Sequence, residues 1–246
     1  GEDAPAPDGG PPVADVGCGP GNVTALLTDR WPTAHVTGFD TSQAMLDRAR
    51  TEYEGPTPGG GSLTFREADA TNWVPDQLYG LIVSNAALQW VPDHVKSFPV
   101  WLDGLVPGGT FAFQVPGNFT SPSHTILRDL CAAPRWRSRL DGRLRFAPVL
   151  EPAEYLATLL DLGCEADVWE TTYLQVLQGE DPVLDWVKGT ALRPVLTELI
   201  AAADSGAPAD AFTAEYREAL REAYPPTPHG TVFPFRRIFA VARRPA

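Results

Sequence analysis

The sequence predicts an α/β fold in which helices wind around a mostly parallel sheet. In the first half of the 246-residue chain, short β-type apolar runs alternate with helix-like segments, and a glycine-rich turn joins the first run to the first helix. Such alternation is typical of crossover connections between parallel strands. With 43% hydrophobic residues, the chain has enough apolar material for one sizeable domain.

The first half is predicted to contain five strands and three helices. The strands are expected at residues 13–16, 35–39, 63–66, 79–84 and 110–115, and the helices at 22–30, 42–54 and 93–105. Thr41 or Ser42 suits the N-cap of the second helix. Glycine- and proline-rich segments at 54–62 and 106–109 predict turns.

The second half is predicted to contain more helix and two long strands. Helices are expected at 120–133 and 152–162, and strands at 165–177 and 231–244. Between these strands, residues 181–224 hold three helix-like segments, 183–192, 195–203 and 211–224. Because a connection needs only a few residues, so long an insertion indicates a lid or substrate cap. We expect one domain over 1–246 with the cap embedded in it.

Charge and cysteine content limit the partners. The formal net charge of −12 opposes non-specific binding to nucleic acid or to an anionic membrane. The three cysteines form no CxxC pair, which favours free thiols in a reducing compartment. No apolar stretch approaches the length of a membrane span, and the acidic, proline-rich start does not resemble a signal peptide. A cytoplasmic protein with no nucleic-acid or membrane partner is the expectation.

The glycine-rich turn lies in VADVGCGPGNVTALL, residues 13–27. Glycines between a strand and a helix let a ligand approach the backbone amides at the helix N-terminus. Gly17, Gly19 and Gly21 give GxGxG, whereas a dinucleotide-binding turn would have a glycine where Asn22 stands. The Gly-Lys-Ser/Thr ending of a P-loop is also absent. The pattern favours a nucleoside ligand without a pyrophosphate.

Acidic residues follow the second and third predicted strands. Asp40 ends the second strand about 20 residues beyond the glycines, where a carboxylate can accept hydrogen bonds from ribose hydroxyls. The alternative is an aspartate that caps the following helix. Asp69 and Ala70, in EADATNW, are placed for an adenine edge, although taken alone this segment would be an ordinary loop.

The segments DVGCGPGN, FD, EADATNW and SNAALQWVPDH occur in this order, and together they resemble class I S-adenosylmethionine-dependent methyltransferases. The resemblance implies a Rossmann-like sheet with an antiparallel C-terminal strand, and S-adenosyl-L-methionine as cofactor with S-adenosyl-L-homocysteine as product. It implies a cofactor-binding half over 1–120 and a substrate-binding half over 121–246. The expected cofactor residues are Asp15, Gly17, Gly19, Gly21, Asp40, Thr41, Asp69, Ala70 and Asn85.

Five further segments are similar to the enzymes of this class that methylate trans-aconitate: NAALQWVPDH, VPGNFTSPSH, DVWETTYLQVL, DPVLDWV and FPFRRIFAVA. The implied reaction forms a methyl ester on a carboxylate of trans-aconitate or a related small polycarboxylate. A carboxylate is ionised at pH 7, so no general base is expected. No metal is expected either, because the sequence has no HExxH motif and its four histidines are scattered. Gln89 and Trp90 are expected to position the reactants, with a core role as the alternative for Trp90.

A small anionic substrate needs cationic and polar partners in an otherwise acidic protein. Arg193, in the cap, and either Arg236 or Arg237, on the last strand, are the candidates. Strand neighbours point to opposite faces, so at most one of Arg236 and Arg237 should reach a given pocket. Polar candidates are Asn118, His124 and Tyr173, the last on one strand face with Trp169. The alternatives are solvated arginines, a surface histidine and ordinary strand packing.

Two other functions remain open at this point. The same fold can methylate a secondary metabolite, in which case an apolar pocket should replace the arginines. A module that binds S-adenosylmethionine without catalysis is the other, and tight cofactor binding without methyl transfer would favour it. The long cap favours an enzyme, since it suits a second ligand better than an exposed cofactor.

Overall fold

A computed structural model describes residues 10–140, 149–201 and 206–246 of the chain. The described residues form two compact units. Unit 1 contains residues 10–116, 149–170 and 238–246, and unit 2 contains residues 117–140, 171–201 and 206–237. The first boundary lies near the predicted one at 120, but the second half of the chain contributes to both units.

The helices and strands follow in chain order. They are β1 (Val13–Val16), α1 (Asn22–Arg30), β2 (His35–Asp40), α2 (Gln43–Tyr53), β3 (Gly55–Pro56), β4 (Ser62–Glu67), β5 (Tyr79–Asn85), α3 (Phe98–Asp103), β6 (Leu105–Pro116), α4 (Pro122–Ala132), α5 (Pro134–Leu140), α6 (Pro152–Asp161), β7 (Glu165–Leu177), α7 (Pro182–Lys188), α8 (Leu192–Ala201), α9 (Ala207–Ala223), β8 (Pro226–Thr227) and β9 (Gly230–Arg243). Short 3-10 turns cover Leu88–Trp90 and His94–Ser97. None of the helices in the described ranges is long and apolar enough to cross a membrane.

The sheet has the order β3-β4-β2-β1-β5-β6-β9-β7, with β8 paired to β9. Strand β1 runs parallel to β2 and β5, β2 parallel to β4, and β5 parallel to β6. Strand β9 is antiparallel to β6. Gly108 N–H donates to Arg244 O and Gly117 N–H donates to Arg236 O, so the residue numbers in β9 decrease as those in β6 increase. The predicted fold class is confirmed.

Unit 1 buries apolar side chains on both faces of its sheet, as crossover helices require. One face carries Ile82 and Phe111, which pack in one cluster with Trp101 of α3 and Tyr155 of α6. The other face carries Val13, Val36, Leu63 and Phe65, which pack in one cluster with Leu46 and Ala49 of α2 and with the partly buried Ala25 and Leu27 of α1. This packing fixes the carboxyl ends of the parallel strands, where the predicted cofactor residues lie.

Unit 2 has a separate helical core formed mainly by α4, α5, α7, α8 and α9. The ring of Trp136 lies edge-on to Phe212 with centroids 5.2 Å apart. Two tyrosines of this core hold the start of α4: Tyr216 O–H donates to Ser123 O at 2.6 Å, and Ser123 N–H donates to Tyr224 Oη at 3.0 Å. The core gives the predicted cap region its own hydrophobic support.

The predicted turn at 106–109 is wrong, because strand β6 begins at Leu105 and includes it. Backbone hydrogen bonds explain the difference: Gly108 N–H donates to Arg244 O, and Arg244 N–H donates to Gly109 O. Pairing with β9 holds the glycines in the sheet, a long-range effect that local turn propensity does not include. The helix predicted over 93–105 is a 3-10 turn, His94–Ser97, followed by α3, which ends at Asp103.

The cap helices also differ from the prediction. The segment predicted as one helix over 183–192 is divided, because α7 ends at Lys188 and α8 begins at Leu192, with Gly189 between them. Helix α8 ends at Ala201, and residues 202 and 203 of its predicted range lie outside the described residues. Helix α5 was not predicted, because its seven residues, PRWRSRL, are too few to show an apolar period.

Candidate functional site

The three glycines after β1 have different roles. All have positive φ angles, 82° at Gly17, 55° at Gly19 and 82° at Gly21. A Cβ on Gly17 would lie 2.2 Å from Ala87 Cβ, and one on Gly21 would lie 2.8 Å from Phe65 Cζ. A Cβ on Gly19 would meet nothing within 4 Å. Two glycines therefore permit close packing, and only Gly19 lies on the open side where a ligand can approach.

The Asp40 carboxylate connects the end of β2 to the glycine-rich turn. Its Oδ2 accepts the Gly19 N–H at 2.9 Å, and its Oδ1 accepts the Ser42 N–H at 2.8 Å. Ser42 is the N-cap residue of α2, so this bond forms an Asx turn just before the helix, whose first turn has no side-chain cap hydrogen bond. Each carboxylate oxygen has a further lone pair. Asp40 can therefore still accept hydrogen bonds from two ligand hydroxyls.

The other amides of the turn are already used within unit 1. Phe39 O accepts the N–H groups of Gly17 at 2.8 Å and Cys18 at 2.9 Å. The turn therefore does not offer these two groups to a phosphate, which agrees with the absence of a P-loop ending. Burial raises the pKa of the Cys18 thiol, so this cysteine is not a thiolate nucleophile at neutral pH.

Asp15 lies beneath the turn, on β1. It is 3% exposed, and its Oδ2 accepts the Thr24 hydroxyl at 2.7 Å. Burial raises the pKa of Asp15 to about 6, with Asp40 adding to the rise and Thr24 opposing it. Thr24 was not predicted from the sequence, although a threonine in the first turn of a helix after such a loop was a visible signal.

The loop after β4 lies beside the end of β2. Ala68 N–H donates to Asp40 O at 3.1 Å. Asp69 is exposed, and its Oδ1 accepts the Thr71 N–H at 2.8 Å, which fixes a short Asx turn. Ala70 is half-buried and Thr41 is exposed at the start of α2. Unit 1 thus brings Gly19, Asp40 and the loop that contains Asp69 and Ala70 to one edge of its sheet.

The end of β5 forms a strained turn. Ala86 has a φ of 53°, and its N–H donates to Gln114 O at 2.9 Å. Asn85 is exposed and pairs in register with Gln114 of β6. The Gln89 side chain returns to this turn, where Nε2 donates to Ala86 O at 2.5 Å. Trp90 is 62% exposed, so a core role for Trp90 is wrong.

Two glutamine carbonyls in unit 1 are buried without an N–H or O–H donor in the described part of the chain. They are Oε1 of Gln89 and Oε1 of Gln114, and the Gln114 residue is only 6% exposed. A buried acceptor without a donor is unfavourable, so each can accept a ligand N–H or O–H at a gain. Sequence reasoning missed Gln114, whose signal was a single amide within the apolar run TFAFQV.

In unit 2, Asn118 binds the main chain of Arg236. Asn118 Oδ1 accepts the Arg236 N–H at 2.8 Å, and Nδ2 donates to Arg236 O at 3.2 Å. The same Arg236 O accepts the Gly117 N–H at 2.9 Å. Asn118 is 3% exposed. Its side-chain amide therefore makes a pair of hydrogen bonds to the main chain of β9, as a neighbouring strand would, and sets the position of Arg236.

His124, in the first turn of α4, is surrounded by hydroxyl groups and a ring. Its Nδ1 lies 3.3 Å from Ser121 Oγ and 3.2 Å from Ser123 Oγ, and its ring centroid is 5.4 Å from that of Phe119. Burial, followed by the charge of Arg128, lowers the pKa of His124 to about 4. The imidazole is therefore neutral at pH 7.

Tyr173 and Arg237 contact each other in unit 2. The Arg237 guanidinium carbon lies 5.7 Å from the ring centroid of Tyr173 and 5.3 Å from that of Phe235. As strand neighbours, Arg236 and Arg237 direct their side chains to opposite faces. Arg193 is exposed on α8. Among the described residues, no group of three or more His, Cys, Asp or Glu side chains could hold a metal ion.

Comparison with curated proteins gives close relatives. A family model described as a methyltransferase domain matches residues 13–109. A trans-aconitate 2-methyltransferase of Streptomyces avermitilis is 64% identical over 235 residues, which cover 95% of this chain and 85% of that protein. The protein of the same name from Streptomyces coelicolor is 60% identical, over 96% of this chain and 77% of the relative. The protein of this name from Shigella dysenteriae is 40% identical, over 94% of this chain and 86% of the relative.

Solved structures support the fold at much lower identity. The YcgJ protein from Bacillus subtilis gives a TM-score of 0.60 at 17% identity and covers 99% of this chain and 95% of its own. An S-adenosylmethionine-dependent methyltransferase from Mesorhizobium loti gives a TM-score of 0.50 at 20% identity, and the match covers 98% of this chain and 94% of that one. These likenesses concern the fold alone.

Proposed function

Because the chain belongs to the trans-aconitate 2-methyltransferase family, we propose that it methylates a carboxylate oxygen of trans-aconitate or a closely related small polycarboxylate, giving a monomethyl ester. The chain is a class I methyltransferase, and its cofactor is S-adenosyl-L-methionine. The observation that carries the substrate assignment is the high identity to relatives of this name through the residues of both units.

The residues of unit 1 fit the cofactor. Gly19 is open on the ligand side, and both Asp40 oxygens keep a lone pair for a ribose hydroxyl. We assign the adenine edge to Asp69 and Ala70, and the methionine part to Asn85, with Asp15, Thr41, Gly17 and Gly21 shaping the turn. When bound, the cofactor supplies a methyl group on a positively charged sulfur, which a nucleophilic oxygen can attack directly.

The nucleophile needs no activation by this chain, because a carboxylate is already ionised at pH 7. We therefore assign no general base, and His124 is neutral at that pH. Rate enhancement then comes from holding two reactants in line and excluding water. Gln89, whose side chain is fixed by Ala86 O, and the exposed Trp90 are the proposed positioning groups.

Substrate recognition is proposed for residues of unit 2. These are Asn118, His124, Tyr173, Arg193 and one arginine of the pair Arg236 and Arg237, with Asn118 acting through the position that it gives to the main chain at Arg236. Helices α7, α8 and α9, which occupy most of 181–224, are proposed as the substrate cap of a single domain that spans 1–246. The three cysteines of the chain are free thiols, which supports a cytoplasmic setting.

The test is to incubate the purified protein with S-adenosylmethionine and trans-aconitate, and to search by mass spectrometry for a product heavier by one methylene. A monomethyl ester supports the proposal. If S-adenosylmethionine binds but neither trans-aconitate nor other di- and tricarboxylates are methylated, the substrate assignment is wrong. Omission of the acid, with the cofactor present, is the matched control.

A further inference from the structure

We propose that Arg237, whose guanidinium lies over the rings of both Tyr173 and Phe235, binds a carboxylate of the substrate that is not methylated, and so selects which carboxylate reacts. The inference rests on the proposed function and deepens it. All three residues belong to unit 2.

The Arg237 guanidinium is held by aromatic rings. Its carbon lies 5.7 Å from the Tyr173 centroid and 5.3 Å from the Phe235 centroid. Phe235 is fixed in turn by Trp186 and Phe233, with centroids 5.8 and 6.4 Å away, and Phe233 is 1% exposed. Stacking on ring faces leaves the planar edge and its N–H groups available. The guanidinium is therefore ordered in advance, which reduces the entropy lost on binding.

No carboxylate pairs with this guanidinium within the described ranges, although the chain has 31 acidic and only 19 basic residues. Other arginines of unit 2 do have acidic partners: Arg217 and Arg221 both contact Asp181, at 2.9 and 2.7 Å. The Tyr173 hydroxyl likewise has no hydrogen-bond acceptor in the part of the chain that the structure describes, and Tyr173 is 42% exposed. Arg237 and Tyr173 therefore form an adjacent pair of donors that the protein itself does not use.

The chemistry of such a pair favours a planar anion. A guanidinium edge donates two parallel N–H bonds to the two oxygens of a carboxylate, and the tyrosine O–H can add a third. A carboxylate held in this way has both oxygens engaged and part of its charge neutralised, so it is a poor nucleophile. A polycarboxylate bound through Arg237 must then present a different carboxylate for methylation.

The experiment compares Arg237→Gln with Arg137→Gln, which removes the same charge from an exposed position on α5 of the same unit. Titration calorimetry with S-adenosylhomocysteine present measures the Kd of trans-aconitate, and NMR of the enzymatic product measures the ratio of monomethyl ester isomers. We expect Arg237→Gln to raise the Kd about 10-fold or more, the loss typical of a charged hydrogen-bonded pair. The isomer ratio should shift toward a mixture. Arg137→Gln should leave both unchanged.

Two further variants separate recognition from structure. Tyr173→Phe keeps the ring against Arg237 and removes the hydroxyl, so it should raise the Kd a few-fold without changing the thermal midpoint. Arg237→Lys keeps the charge but loses the two parallel N–H donors of the guanidinium. Compared with Arg237→Gln, it should therefore recover part of the affinity but not the wild-type isomer ratio. A merely structural role for Arg237 would change thermal stability and leave the isomer ratio intact.

The outcomes also distinguish this inference from the proposed function. If the wild type forms the ester and Arg237→Gln keeps both the Kd and the isomer ratio, the inference is overturned and the function stands. A large effect of Arg236→Gln with none of Arg237→Gln would also overturn it. If the wild type binds trans-aconitate through Arg237 but forms no ester, Arg237 keeps its carboxylate-binding role, whereas the selection of the reacting carboxylate and the proposed function both fail. A wild type that neither binds nor methylates trans-aconitate overturns both.

Discussion

The Asp40 carboxylate accepts a hydrogen bond from the backbone N–H of Gly19 at 2.9 Å, joining the end of β2 to the turn after β1. The bond orders the one glycine of this turn whose Cβ position is open, next to a carboxylate with free lone pairs. It connects the packing of the sheet directly to the proposed cofactor site.

Asp40→Asn should weaken S-adenosylmethionine binding by about 10- to 100-fold, because the neutral amide is a weaker acceptor for ribose hydroxyls and offers one oxygen instead of two. Titration calorimetry measures the Kd. Asp29→Asn, an equal charge change at an exposed position on α1, is the control and should not alter it. Equal affinities of the wild type and Asp40→Asn would remove Asp40 from the cofactor site.

Gly19→Ala and Gly21→Ala should separate ligand binding from stability. Both positions have positive φ, which costs an alanine about 1 kcal/mol. Gly21→Ala also places a Cβ 2.8 Å from Phe65 Cζ, and overpacking adds about 1–3 kcal/mol. We therefore expect Gly21→Ala to reduce the free energy of unfolding in urea more than Gly19→Ala does.

Substitution at Gly19 should raise the cofactor Kd more than substitution at Gly21, because, of the two, only the Gly19 methyl group projects into open space, where we propose that the cofactor binds. Calorimetry on Gly19→Ala, under conditions where it is fully folded, checks this point. A Gly19→Ala protein that binds S-adenosylmethionine as tightly as the wild type would contradict the assignment of the open side.

His124 should make the folded state less stable in acid. Burial lowers the pKa of His124 to about 4, whereas an unfolded histidine titrates near pH 6.5. Below about pH 6.5 the unfolded chain binds a proton at this histidine and the folded chain does not. The contribution of the neutral imidazole to the free energy of unfolding is therefore complete above pH 6.5 and is lost as the pH falls toward 4. The slope is at most about 1.4 kcal/mol per pH unit.

The measurement is the free energy of unfolding of the wild type and His124→Gln between pH 7.5 and 4. The variant should show a smaller decrease in stability across this range. His229→Gln, which replaces an exposed histidine, should follow the wild type. Parallel curves for the wild type and His124→Gln would show that the imidazole is solvated in the folded state.

Asp181 should stabilise the cap helices through its two arginines. Its carboxylate is 17% exposed and contacts Arg221 at 2.7 Å and Arg217 at 2.9 Å. Asp181→Asn leaves both guanidinium groups without their common anion, so we expect a loss of about 1–3 kcal/mol in urea unfolding. The Glu180 side chain also contacts Arg221 but is 88% exposed, so Glu180→Gln should lower the free energy of unfolding by less than about 0.5 kcal/mol.

The elements predicted correctly are those with strong local signals. Strand β1 and helix α1 have the predicted bounds, because an apolar run, three glycines and a 3.6-residue period follow one another within 18 residues. The placement of Asp40, Asp69 and Asn85 at strand ends was predictable for a related reason, because the carboxyl ends of parallel strands meet at one sheet edge. Their roles in cofactor binding stay predictions. The error in the start of β6 occurred where this strand pairs with β9, more than 120 residues away in sequence.

The sequence by itself determined the fold class, the cofactor type and the set of polar residues at the strand ends, because each depends on short-range periodicity or on motif order. Only the tertiary structure decided which glycine is open, that Asn118 holds the main chain of Arg236, and that Arg237 lies over two rings without an acidic partner in the described residues. These relationships join residues distant in sequence. They depend on strand register and side-chain packing, which no local pattern of residues encodes.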